Sequence, residues 1–89
     1  MNIAIVEDAK EWTEKMKNVI QQTLKKEQTE IEIYSSAEEF LEAGKEYQIV
    51  FMDIYLNGIS GLEATIEYKS QFSKSIVMIV TSYKEYCRE

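Results

Sequence analysis

The chain alternates short apolar runs with longer amphipathic stretches. Ile3 to Val6 is an uninterrupted apolar run that stops at the acidic pair Glu7-Asp8, the pattern of a strand covered on both faces whose end reaches the surface. Trp12, Met16, Val19, Ile20 and Leu24 then recur at helical spacing, which predicts an amphipathic helix from about Ala9 to Lys26 with Asp8 capping its start. Ile31 and Ile33 alternate with Glu30, Glu32 and Tyr34, as in a strand near a sheet edge. Ser36 and Glu39 stand at capping-box spacing. Ala37, Phe40 and Leu41 give the stripe of a short helix that Gly44 ends by accepting a left-handed conformation.

The second half repeats the alternation. Ile49 to Ile54 reads IVFMDI, too continuously apolar for a half-exposed strand, and carries Asp53 near its carboxyl end. Tyr55 to Gly61 contains Asn57, Gly58, Ser60 and Gly61, a composition that turns the backbone sharply. Leu62, Thr65, Ile66 and Lys69 are expected to line one face of the next helix. Ile76 to Val80 is a fourth apolar strand, followed by Thr81, Ser82 and a helix-like start from Tyr83 to Glu89. This alternation predicts an α/β fold, a parallel sheet with helices on both faces. Ligands of such folds sit beyond the carboxyl ends of the strands. With these strands as neighbours, Glu7, Asp8, Asp53, Thr81 and Ser82 face one crevice.

Composition narrows the function. Eighty-nine residues suffice for one small domain, and no proline, repeat or low-complexity tract marks a linker. Sixteen acidic against ten basic residues give a net charge of −6, which opposes direct contact with nucleic acid. No run of residues suits a membrane. The single Cys87 cannot form an internal disulfide, and with no secretory signal this points to the cytoplasm; no histidine is present to activate it, so it reads as a bystander. Gly44, Gly58 and Gly61 form neither a Walker loop nor a dinucleotide fingerprint. Tyr34, Tyr47, Tyr55 and Tyr83 are irregularly spaced and read as surface or rim aromatics.

Three carboxylates in one crevice repel one another unless a cation binds or a proton is retained. An oxygen-only donor set favours Mg²⁺ over zinc or copper. With the phosphoryl oxygens neutralised by a metal, a carboxylate such as Asp53 can attack phosphorus and form an acyl phosphate, while Thr81 offers a hydroxyl to a phosphoryl oxygen.

Glu7-Asp8 after IAIV, the segment FMDIYLNGISGLE and the run IVMIVTS together resemble the receiver domain of two-component response regulators, of flavodoxin-like (CheY-like) fold with strand order 2-1-3-4-5. The resemblance spans the whole chain. It implies Asp53 as phosphoacceptor and Mg²⁺ on Glu7, Asp8, Asp53 and the Tyr55 backbone carbonyl. It further implies Thr81 as the switch hydroxyl, Ser82 as the small residue beside the site, a histidine kinase or acetyl phosphate as donor, and no turnover enzyme. The loop wording and the ending TSYKEY look most like receivers followed by a LytTR-type DNA-binding output domain, which implies regulation of transcription.

The chain departs from the family in two ways. Asn57 stands where many receivers have proline. The fourth helix, fifth strand and fifth helix are missing, and with them a lysine that contacts the phosphoryl group. Residues 1–89 are therefore expected to be the N-terminal part of a receiver in a longer regulator, its output domain absent. The apolar fourth strand, left as an edge, is expected to invite dimerisation or swapping. Two other readings compete: a metal-independent pseudo-receiver that binds protein, and a haloacid dehalogenase-like phosphatase. The second would need an Asp where this chain has Tyr55.

Overall fold

The computed structural model describes residues 1–56 and 58–81. Its elements are β1 (Asn2–Val6), α1 (Lys10–Thr23), β2 (Glu30–Tyr34), α2 (Ala37–Ala43), β3 (Ile49–Asp53), α3 (Gly61–Gln71) and β4 (Ile76–Val80). The four strands form one parallel sheet in the order β2-β1-β3-β4. This is the expected α/β architecture, in the first four places of the receiver strand order.

Burial follows from that order. Ile3, Ala4, Ile5 and Val6 are all fully buried, because β1 lies inside the sheet and is covered on both faces. Alternation divides the core in two. Ala4, Val6, Val50 and Met52 pack with Ala37, Phe40, Ala64 and Tyr68 of α2 and α3, whereas Ile3, Ile5, Ile49 and Phe51 pack with Met16 and Ile20 of α1 and with Leu24 just past its end. β2 is an edge strand as its alternation predicts. β4 is the other edge, and Ile76, Met78 and Ile79 are exposed.

Four details of the sequence reading need correction. The N-cap of α1 is Ala9, with no side-chain cap, so Asp8 does not cap the helix. Glu7 does the nearest equivalent, its Oε2 accepting from the Ala9 N–H at 2.9 Å. The helix also stops at Thr23, just before the last apolar residue of its stripe, Leu24, whose N–H closes on the Ile20 carbonyl at 2.9 Å. Val19, expected in that stripe, is exposed.

The third correction concerns α3. Its buried residues are Gly61, Ala64 and Tyr68, while Leu62 is 54% and Ile66 74% exposed. Small residues at positions 61 and 64 let the helix approach the sheet closely, and that approach selects the face. The fourth concerns Tyr47, which is 1% exposed and belongs to the core. Its ring stacks near Phe40, with centroids 6.2 Å apart, and its hydroxyl is satisfied by Tyr34 at 2.5 Å and by Glu32. The expectations for α2 hold: Ser36 accepts from the Glu39 N–H at 3.1 Å, and Gly44 takes a φ of 59°.

Candidate functional site

The carboxyl ends of β1 and β3 lie side by side. Val6 pairs with Met52, so Glu7 and Asp53 fall one step further along adjacent strands, on the sheet side that carries Ile3, Ile5 and Phe51. The Glu7 N–H donates to the Tyr34 carbonyl at 3.0 Å and prolongs the β1–β2 pairing by a residue. Glu7 and Asp53 are each 2% exposed, while Asp8 reaches solvent.

Each of Glu7, Asp8 and Asp53 offers a ligand oxygen, and these three oxygens lie within 4.8 Å of one another. Oxygens on opposite sides of an octahedral Mg²⁺ stand roughly 4 Å apart. The cluster is therefore close to the span that one such ion requires. Two buried carboxylates at the observed spacing repel by about 3 kcal/mol at an effective dielectric near 20. A divalent ion among them converts that repulsion into attraction, and the all-oxygen donors suit a hard cation.

The backbone beyond Asp53 is tightly folded. Asp53 Oδ1 accepts from the Tyr55 N–H at 3.2 Å, and the Ile54 N–H donates to the Val80 carbonyl at 3.2 Å. Gly61, the first residue of α3, then returns onto the strand end, its N–H 3.4 Å from the Ile54 carbonyl. A Cβ at Gly61 would run into the Asp53 carbonyl oxygen and stand 2.8 Å from both the Asp53 carbonyl carbon and Ile54 Cα. Glycine is thus required here for close approach. Ser60 caps α3 by accepting from the Glu63 N–H at 3.2 Å.

Asp53 pairs with Val80, which puts Thr81 immediately past the end of β4 on the strand next to Asp53. Tyr55 lies in the loop and is exposed on its side-chain face. Ser82, Tyr83 and the helix-like start to Glu89 lie outside the described residues, as does Asn57. The structure thus gathers Glu7, Asp8 and Asp53 into one cluster and puts Thr81 at the same end of the sheet.

One residue near the site escapes a sequence reading. Glu38, in the first turn of α2, crosses to the β3–α3 loop, where its Oε2 accepts from the Ile59 N–H at 3.0 Å. That bond, with a second from the N–H of Glu38 itself, holds the carboxyl below the ordinary glutamate range. Exposed glutamates are common in helix first turns, so no local signal distinguishes this one.

The chain belongs to the response regulator receiver domain family, whose model matches residues 3–88. Solved structures agree. The response regulator TrrA from Thermotoga maritima, in complex with Mg²⁺ and BeF, is 27% identical with a TM-score of 0.70 over 99% of this chain and 75% of that one. TrrA in complex with the histidine kinase ThkA is 29% identical with a TM-score of 0.78 over 96% of this chain and 72% of that one. DrrB of Thermotoga maritima, an OmpR/PhoB homologue, is 25% identical with a TM-score of 0.78 over 90% of this chain and 35% of that one. A search of curated proteins finds no match. Receiver domains act as phosphoacceptors in two-component signalling, phosphorylated by histidine kinases. Among the described residues, no helix is long and apolar enough to cross a membrane.

Proposed function

We propose that Asp53 accepts a phosphoryl group from a histidine kinase, with Mg²⁺ held by Glu7, Asp8, the Asp53 carboxylate and the Tyr55 carbonyl. The observation that carries this reading is the convergence of three carboxylates, two of them buried, at the carboxyl end of the sheet in a receiver chain. The complex of TrrA with Mg²⁺ and BeF, and that of TrrA with ThkA, lend support from related proteins.

In the transfer, an Asp53 carboxylate oxygen bonds to phosphorus as the bond from phosphorus to the kinase imidazole nitrogen breaks. That nitrogen keeps the electron pair and takes up a proton. The bound Mg²⁺ supplies charge neutralisation at the phosphoryl oxygens. The protein's part is positioning. The Ala9 N–H fixes the orientation of Glu7, the Tyr55 N–H fixes that of Asp53, and Gly61 holds the backbone behind Asp53 in place. Thr81 donates its hydroxyl to a phosphoryl oxygen and carries the change to the surface, with Ser82 keeping the entrance open.

The same reading includes a cytoplasmic location, an output domain of LytTR DNA-binding type in the longer protein that contains residues 1–89, and, for residues 1–89 by themselves, self-association through the β4 edge. It is tested by incubating the full chain with acetyl phosphate, with and without Mg²⁺, and measuring intact mass. One phosphoryl group per chain is expected, only with Mg²⁺ and only with Asp53 intact. Label persisting in Asp53→Asn refutes the assignment.

A further inference from the structure

The loop between β3 and α3 is fastened at both ends by its own backbone, through the Tyr55 N–H on Asp53 and the Gly61 N–H on the Ile54 carbonyl. Its far half is held from outside. Glu38 reaches across from α2, and its Oε2 receives the Ile59 N–H at 3.0 Å. Gly58 is shaped to the same contact. It has a φ of 85°, and a Cβ there would collide with the Glu38 carboxylate. The loop backbone therefore lies closely against this one side chain.

Within α2 the Glu38 carboxyl bonds only its own N–H. The helix is capped by Ser36, Glu39 bonds Ser35 at 3.0 Å, and Ala37 and Phe40 fill the core. We infer that Glu38 is a positioning residue for the phosphoacceptor site, a cross-helix pin that preorganises residues 54–56 and 58–60 so that the Tyr55 peptide is already beside Asp53 before metal and phosphodonor arrive. The inference rests on the phosphoacceptor reading above and adds a residue to it. A loop that must be ordered at each binding event weakens binding, whereas a loop ordered in advance does not. A bond from a backbone N–H to a carboxylate is strong enough to matter, being charge-assisted. The Ile59 N–H, with the N–H of Glu38 itself, holds the Glu38 carboxyl below the ordinary glutamate range, which favours the charged acceptor.

The test compares the full chain with Glu38→Ala, Glu38→Gln and Asp53→Asn. Three quantities are measured: the Mg²⁺ concentration at the midpoint of the Trp12 fluorescence change, the acetyl phosphate concentration giving half-maximal labelling rate, and Tm. Glu38→Ala is expected to raise both midpoints about three- to tenfold, the effect of one lost charge-assisted bond. Glu38→Gln, whose amide oxygen still accepts from Ile59, is expected to restore most of that loss. Midpoints in Glu38→Ala within about twofold of the parent, or a Gln variant as impaired as the Ala variant at equal Tm, overturn the pin while leaving the phosphoacceptor reading intact. No label on the parent chain, or label kept by Asp53→Asn, overturns both.

Discussion

Replacing Gly61 by alanine separates two effects of opposite sign. Gly61 is the first residue of α3, and its φ lies outside the left-handed region, so propensity alone predicts a gain of up to about 1 kcal/mol. Packing predicts a loss. The added methyl would stand 2.8 Å from two backbone atoms, where ordinary contacts begin at 3.4 Å, and closer still to the Asp53 carbonyl oxygen. The neighbours are strand backbone and cannot rotate away. Overpacking typically costs about 1–3 kcal/mol, and rigid partners place this case at the upper end. A net loss of about 2 kcal/mol lowers Tm by roughly 8–16 °C in a domain of this size. Thermal unfolding followed by far-UV circular dichroism measures it. The Mg²⁺ response of Trp12 should weaken in parallel, because relief of the clash pushes α3 away from the peptide that follows Asp53. A variant as stable as the parent, or more so, would refute the reasoning.

Two further outcomes are expected. Tyr47 and Glu32 make stability depend on pH at both extremes. Hydrogen bonding from Tyr47, then from Lys45, holds Glu32 below its ordinary value of 4.5, so its contribution is present above that pH and lost as pH falls through the depressed value. Burial, then the bond to Glu32, raises the Tyr47 phenol above its ordinary 10.0, so its contribution is present below that pH and lost as pH rises further. Tyr47→Phe should therefore be less stable at neutral pH yet lose less on going to either extreme, which urea midpoints across pH will register. Met78→Lys, which puts a charge on the exposed β4 edge, should lower concentration-dependent association in sedimentation velocity; equal association in both proteins would remove β4 from the interface.

The strands were legible in the sequence because their signal is local. Apolar runs of four to six residues ending in acidic or hydroxyl side chains placed three strands, and the alternation at 30–34 placed β2, to within a residue at nearly every end, and with them the common end where Glu7, Asp8 and Asp53 meet. The cap of α2 was equally local, a serine three residues before a glutamate. The misreadings share a cause, which is partnership at long range. Tyr47 reads as a rim aromatic until β2 supplies Tyr34 and Glu32 for its hydroxyl and α3 supplies Tyr68, whose hydroxyl accepts from the Tyr47 N–H at 2.8 Å. Leu62 and Ile66 carry the greater hydrophobicity in α3, but the fold buries the small residues that permit close packing. Glu38 gains its role only from a loop residue 21 positions further on, Ile59.

The register of β1 against β3 has a consequence for how this protein tolerates change in length. Side chains alternate across a sheet, so inserting one residue between Ile49 and Asp53 would carry the aspartate to the opposite face, under α2 and α3 and away from Glu7. The connector at 24–29 is under no such constraint, since its residues are mostly exposed and join elements already anchored by the sheet. Growth and shrinkage among homologues should therefore concentrate in that connector, while the spacing from Ile3 to Asp8 and from Ile49 to Asp53 stays constant even where the individual apolar residues are exchanged.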